Sequence, residues 1–153
     1  MSVRMIAVTV AVLFLAAAAF LFLAPWPLLN VVETGKTPEY PDVTPRFYQA
    51  TTERAFDAAL HAVNRLPRWA LVAYQPEKGE IRAEARTRLF RFADDVLIRV
   101  EAQNGEVVVQ VRSASRIGKG DFGQNARNIR AFFDELDRQM RGSSGHPESN
   151  GAP

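Results

Sequence analysis

The sequence predicts an α+β protein in which an N-terminal transmembrane helix precedes a small, curved antiparallel β-sheet with two helices packed on one face. Three observations predict it. Residues 6–24 form an almost unbroken apolar segment, residues 80–89 alternate between apolar and charged side chains, and two further segments repeat apolar residues at helical spacing. With 153 residues, the chain has room for one domain beside the apolar segment.

The apolar segment is close in length to what a membrane crossing requires. It runs for about 19 residues with Thr9 as its only polar side chain, and a hydrocarbon core of ~30 Å needs about 20. Arg4 precedes it, and an interfacial aromatic between helix breakers follows it: Pro25, Trp26 and Pro27. We therefore predict an anchor over residues 5–28, with the domain on the extracytoplasmic, periplasmic side of the cell membrane.

A cleaved signal peptide is the alternative interpretation of this segment. Ala17 and Ala19 have the spacing of the small residues at a signal-peptidase site. Cleavage there would leave the apolar residues 20–23 exposed at the new N-terminus, so the uncleaved anchor is favoured.

The rest of the chain divides into a linker, a domain and a tail. Residues 29–45 contain glycine and several prolines and predict a lead-in without regular structure. The soluble domain is expected over residues 46–141. Residues 142–153 are rich in Ser, Gly and Pro and predict a disordered tail.

Within the domain, the first elements are a short strand, a helix and a second strand. Residues 47–50 suit a strand, and Thr51 or Thr52 can cap a helix that Pro67 ends. Residues 69–74 are apolar and aromatic, as in a strand.

Three further strands and a helix complete the domain. Strand 80–89 leads through a corner at residues 93–95 to strands 96–102 and 106–115, which Asn104-Gly105 joins in a hairpin turn. A last helix is predicted over residues 122–140, with Asp121 as its N-cap.

Three motifs carry a resemblance to a known family. Residues 30–34 read NVVET, residues 85–92 read ARTRLFRF, and residues 112–125 read RSASRIGKGDFGQN. In these motifs the chain resembles the family called domain of unknown function 1499, over about residues 30–136. The resemblance implies a small extracytoplasmic or membrane-associated domain without an agreed activity.

The most unusual segment, residues 112–130, is a candidate anion site. Free amides at a helix start, together with basic side chains, can hold a phosphate or carboxylate. The candidate ligands are Arg112, Ser113, Ser115, Arg116, Lys119 and Asn125. The plainer interpretation, which we favour, is that Gly118 and Gly120 turn the chain while Asp121 caps the helix and competes with an anion.

Two other surfaces are weaker candidates. Arg86, Arg99 and Arg112 could form a guanidinium patch on the polar sheet face for lipid head groups or an acidic partner, although nearby glutamates favour an ordinary solvated face. Phe90 and Phe92 could form a partner-binding edge, although a β-bulge that returns them to the core is favoured.

No catalytic constellation emerges from the residue types. The chain has no cysteine and two histidines: His61, expected to be solvated, and His146, in the tail. Asp94 and Asp95 suit a turn, and Ser113 and Ser115 have no obvious base. We therefore expect no catalytic residue, metal or cofactor. The net charge of +2 is also too small for a nucleic-acid binder.

These observations leave three functional hypotheses. The favoured one is a non-enzymatic binding or assembly module of the cell envelope, whose partner is the membrane, an anionic lipid or another envelope protein. The second is a hydrolase or other enzyme for a phosphorylated or anionic substrate, with Asp94, Asp95 or Asp121 as acid or base. The third is an apolar-ligand binding domain with a pocket between sheet and helices.

Overall fold

The described part of the protein is an α+β fold with three helices and one sheet. The computed structural model describes residues 3–23, 29–87, 92–118 and 120–142. A 3-10 turn at Pro76–Lys78 joins the third and fourth strands. The elements are α1 (Val3–Leu23), β1 (Val31–Glu33), β2 (Arg46–Tyr48), α2 (Thr52–Arg65), β3 (Trp69–Gln75), β4 (Glu80–Arg86), β5 (Ala93–Gln103), β6 (Glu106–Ser115) and α3 (Gln124–Gly142).

All strand pairs in the sheet are antiparallel, as predicted. The strand order is β1-β6-β5-β4-β3, and β2 also pairs with β6, beside β1. The predicted hairpin turn between β5 and β6 is confirmed, because Asn104 and Gly105 both have positive φ values, 53° and 85°. The long central strands thus follow one another along the chain.

The core lies between one sheet face and the helices α2 and α3. Alternate residues of β4, β5 and β6 point to this face, and Ile81, Ile98 and Val111 are its fully buried centre across the three strands. Phe132 of α3 stacks on Trp69 with ring centroids 6.2 Å apart. The predicted core stripes of both helices and the placement of these helices on one sheet face are confirmed.

The predicted transmembrane helix is corrected by the structure. Helix α1 does form, but none of the helices in the described ranges combines the length and the apolar character that a membrane crossing demands. The flanking Pro25, Trp26 and Pro27 lie outside the described residues, as does the side chain of Arg4.

The segment predicted as a linker, residues 29–45, contains ordered structure. Val32 of β1 pairs with Ser113 of β6 and is fully buried, and Val43 is also buried. Thr34 extends this contact, because its amide donates to the Val111 carbonyl at 3.0 Å and its hydroxyl accepts from the Val111 amide at 3.1 Å. The segment therefore completes one side of the sheet.

Element ends differ from the predictions by a few residues. Strand β4 ends at Arg86, residues 88–91 of the predicted strand and corner lie outside the described residues, and β5 begins at Ala93 where a corner was expected. The predicted disordered tail lies outside the described residues from position 143 onward. The earlier start of β5 matters for the candidate site, because it places Asp94 on a strand.

Candidate functional site

Polar side chains continue the core face of the sheet beyond its apolar centre. On β5 the alternation that buries Val96 and Ile98 also turns Asp94 to the core face. On β6 the same alternation turns Ser113 and Ser115 to that face. Asp94 and Ser115 are register partners on adjacent strands. The apolar core therefore ends in a polar cluster at this end of the sheet.

Helix α3 closes the cluster with two asparagines on its core stripe. Asn128 donates from Nδ2 to Asp94 Oδ2 at 2.8 Å and to Ser113 Oγ at 3.2 Å. Asn125 donates from Nδ2 to Ser115 Oγ at 3.0 Å and accepts the Ser113 hydroxyl on Oδ1 at 2.6 Å. Ser115 in turn donates to Asp94 Oδ1 at 2.7 Å. The five side chains form one connected network.

Asp94 is the charged member of this network. Its side chain is almost fully enclosed, with 1% of its surface exposed. Burial raises its pKa, against the opposing effect of the hydrogen bonds from Ser115 and Asn128, while Asp121 and Asp95 raise the pKa further. Asp94 therefore combines two of the properties of an acid, base or ion-binding group, namely burial and a perturbed pKa.

Asp121 lies three residues before Gln124, the first residue of α3, and its side chain caps this helix. Its two carboxylate oxygens accept the backbone amides of Gly123 at 2.9 Å and Asn125 at 2.6 Å. The sequence analysis considered the free amides at this helix start as possible ligands of an anion. In the structure, these amides already donate hydrogen bonds to the carboxylate of Asp121. The predicted capping role of Asp121 is confirmed.

A cleft opens above the polar cluster, and we name it the β5–α3 cleft. Its floor contains Asp94, Ser115 and Asp121, and its volume is about 460 Å³, within the range of small-molecule sites. Its walls are mainly apolar, and Arg127 and Gln124 stand at its rim. The apolar side chains of the walls, all substantially exposed, are Phe92, Ile117 and Phe122.

The structure divides the predicted anion-site residues between two places. Ser113, Ser115 and Asn125 come together in the network. Arg112 and Arg116 have the opposite strand parity, so they lie on the other sheet face. There Arg116 contacts two carboxylates, Asp95 at 2.6 Å and Glu84 at 2.8 Å. Lys119 lies outside the described residues. The anion site itself stays a prediction.

The predicted arginine patch is also divided. Arg99 and Arg112 border the same small depression on the polar face. Arg86 lies at the far end of β4, since Arg99 pairs with Glu80, roughly 20 Å away along the strand. Arg86 bonds to Glu84 at 2.7 Å, and Arg99 bonds to Glu80 at 3.3 Å. Arg86 and Arg99 are therefore each paired with a carboxylate on the same sheet face.

The remaining candidates have separate positions. Phe92 is 44% exposed and lines the cleft, whereas Phe90 lies outside the described residues. His61 is exposed on α2 as expected. Asp95 points away from the core and is held by Arg116, which keeps the Asp95 pKa below its usual value. The adjacent acids Asp94 and Asp95 thus have opposite environments.

The sequence interpretation missed the role of Asn128 and of Gln124, which donates to Asn128 Oδ1 at 2.8 Å. The available signal was helical spacing, because Asn125 and Asn128 share a stripe with the buried Ile129 and Phe132. Two polar residues on a core stripe indicate a buried polar partner, which here is Asp94.

Comparisons with known proteins identify a family and distant likenesses. The family described as "Protein of unknown function (DUF1499)" matches residues 23–136. The curated proteins contain no match. Among solved structures, the Thermus thermophilus protein TTHA0849 has a TM-score of 0.42 at 10% identity, covering 75% of this chain and 99% of that one.

Two further structures are more distant. The Chromobacterium violaceum protein CV1439 has a TM-score of 0.38 at 10% identity, with 77% of this chain and 99% of that one covered. A structure titled Ara h 8.0201 has a TM-score of 0.34 at 9% identity, with 74% and 95% covered. Likenesses of this extent say nothing of what the chain binds.

Proposed function

The chain belongs to the DUF1499 family of proteins of unknown function, and we propose that it is a non-enzymatic binding module that holds an amphipathic ligand in the β5–α3 cleft. One observation carries the proposal, namely the exposed apolar walls above a buried polar floor. Ile117 and Phe122 are each 61% exposed, although both lie within one short segment beside Ser115 and Asp94. Ligand sites typically combine such apolar walls with a few convergent polar groups.

The polar network supports binding by being rigid. Each buried polar side chain in it has a hydrogen-bond partner, and the partners come from both β-strands and α3. A fully satisfied network fixes the rotamers of its members. A ligand would therefore meet a floor whose polar groups already have their final orientation, which lowers the entropic cost of binding.

An enzyme acting on an anionic substrate is the second candidate. The cleft joins Asp94, Asp121 and Ser115, and a buried carboxyl with a raised pKa suits acid or base chemistry. Against it, the arginines expected to bind the anion lie on the other sheet face, and Ser115 Oγ already accepts a hydrogen bond from Asn125. Binding without catalysis is therefore the better supported proposal.

Nile red titration tests the proposal, because this neutral apolar dye fluoresces when it leaves water. We expect saturable binding to the wild-type chain and about fivefold weaker binding to Ile117→Ala, since the variant removes apolar contact area. Val72→Ala is the matched control: Val72 is also 61% exposed but lies on β3, away from the cleft.

Two results would contradict the proposal. One is equal loss of dye binding in both variants, which would mean that the dye adheres to any exposed apolar side chain. The other is the absence of saturable binding to the folded wild type. The titration tests neither the predicted location at the outside of a membrane nor the predicted envelope partner, and both stay predictions.

A further inference from the structure

We propose that the ligand of the β5–α3 cleft carries a protonated amine, which lies at the floor of the cleft beside Ser115. This inference rests on the proposed binding function and adds the charge of the ligand. It depends on which ionisable groups face the cleft and on which partners those groups already have.

Two of the described carboxyl groups, those of Asp94 and Asp121, face the cleft from its floor. Asp94 receives its hydrogen bonds from the neutral side chains of Ser115 and Asn128. Asp121 receives its hydrogen bonds from two backbone amides. Within the described ranges, neither carboxyl group takes part in an ion pair. Their negative charge is therefore solvated by dipoles and has no counter-ion in contact among the described side chains.

Among the described residues, one cationic side chain lines the cleft, and its hydrogen bonds go to neutral groups at the rim. The Arg127 guanidinium donates to the Phe122 carbonyl at 2.9 Å and to Gln124 Oε1 at 3.1 Å, both neutral acceptors at the rim. Of the charged side chains that the structure describes, two carboxyl groups and one guanidinium thus face the cleft. The guanidinium stands at the mouth and the carboxyl groups at the floor, so the field inside the cleft favours positive charge at depth.

Burial makes this charge arrangement unfavourable unless a cation lies beside the carboxyl groups. A carboxylate enclosed in a low-dielectric site is poorly solvated unless a cation approaches it. Burial accordingly raises the pKa of Asp94, and both Asp121 and Asp95 act in the same direction. A protonated amine above Ser115 would approach both carboxylates and remove part of this cost.

The apolar walls define the rest of the ligand. Ile117 and Phe122 can cover a hydrocarbon body, while the ammonium group points to the floor. An ammonium donates hydrogen bonds, and Ser115 Oγ can accept a second one, since Asn125 is its one donor within the described ranges. The geometry therefore fits a primary amine on an apolar body, in place of the anionic lipid that the sequence suggested.

Calorimetric titration with three probes of equal chain length tests the inference. Decylamine, decanol and decyl sulfate present a cation, a neutral hydroxyl and an anion on the same hydrocarbon chain, each used below its micelle concentration. We expect decylamine to bind about tenfold more tightly than decanol, as for a charge-assisted hydrogen bond, and decyl sulfate to bind more weakly than decanol.

The variants Asp94→Asn and Asp95→Asn test whether the preference for the amine depends on the carboxylate at the floor of the cleft. We expect Asp94→Asn to abolish the preference for decylamine over decanol, while Asp95→Asn, on the opposite sheet face, retains it. Should Asp94→Asn fail to fold, the pH dependence of decylamine binding to the wild type tests the same carboxylate. Decylamine stays protonated between about pH 4 and pH 8, so its advantage should disappear as Asp94 becomes protonated at low pH.

The outcomes distinguish the two proposals. Equal binding of decylamine and decanol would overturn the charge preference and leave the apolar binding function standing. Tightest binding of decyl sulfate would overturn it in favour of an anionic ligand. Failure of all three probes to bind folded protein would overturn the binding function itself.

Discussion

Asn128 of α3 and Asp94 of β5 are joined by a hydrogen bond of 2.8 Å between Nδ2 and Oδ2, in the buried layer between helix and sheet. The bond ties the start of the last helix to the start of a central strand. It also gives the enclosed carboxylate of Asp94 one of its few hydrogen-bond donors, so loss of Asn128 should lower the stability of the fold.

Asn128→Ala should destabilise the fold by about 2 kcal/mol, because a buried charged acceptor loses a donor. Urea unfolding measures this change. The control is Gln49→Ala, which removes an amide-to-carboxylate bond to Glu106 on the surface and should cost less than about 0.5 kcal/mol. Equal effects of the two substitutions would mean that the Asp94 carboxylate does not need this donor.

The pH dependence of stability should report the raised pKa of Asp94. The folded protein holds the Asp94 proton more tightly than the unfolded chain, so the associated stability is present below the ordinary pKa of 3.8 and is lost as pH rises through the raised value. The stability of wild type relative to Asp94→Asn should therefore fall as the pH rises above about 4, by about 1.4 kcal/mol per unit of pKa shift.

Urea unfolding of both proteins at several pH values measures this difference. The carboxyl groups with lowered pKa values, such as Asp95 and Glu135, give the opposite slope. They are present in both proteins, so their effects cancel in the comparison. A difference that stays constant with pH would contradict the burial of an ionisable Asp94.

Asp121→Ala should destabilise α3 by about 1 to 2 kcal/mol, because two backbone amides lose their acceptor. Thr51→Ala is a matched control at the N-terminus of α2, where the cap accepts a single amide at 3.2 Å on the surface. We expect its effect to be about half as large. Denaturation followed by circular dichroism compares the two, and a larger loss at Thr51 would contradict the prediction.

Gly79→Ala should be among the most destabilising alanine substitutions at a turn. Gly79 has a φ of +63°, and an added Cβ would lie 2.1 Å from the Val100 carbonyl oxygen, so β4 and β5 would have to separate locally. We expect a loss of more than about 3 kcal/mol or failure to fold.

Gly105→Ala is the control for backbone conformation alone. Gly105 has a φ of +85° but open space where its Cβ would lie, so its substitution should cost about 1 to 2 kcal/mol. Thermal unfolding of the two variants separates the steric contact from the strain. Equal losses would show that the approach of Val100 to Gly79 relaxes without cost.

The sequence predicted the parts of the fold that depend on periodicity. The alternation in β4 and β6 and the helical stripes of α2 and α3 identified the core, because solvent exclusion imposes the same period on each element. The transmembrane prediction is wrong, because none of the helices in the described ranges is both long and apolar enough to cross a membrane. Strand β1 was not predicted because three residues are too few to show a period.

The candidate site was predicted in part, and parity explains the error. Ser113, Ser115 and Asn125 were identified as a group and do lie together. Arg112 and Arg116 were grouped with them by closeness in sequence, although odd and even positions of a strand face opposite sides. Asp94 was assigned to a corner because paired acids favour turns, and its partner Asn128 gave a signal only through the helical stripe.

The pairing of β1 and β2 with β6 has a consequence for synthesis of the chain. Val32 pairs with Ser113 and Phe47 pairs with Val108, so each early strand leaves the ribosome before its only strand neighbour in the described sheet has been made. Such distant pairings close late in folding because the intervening chain must first be ordered. The buried Val32 thus stays in water until β6 has emerged, and a ribosome that stalls before β6 would present these apolar strands to chaperones.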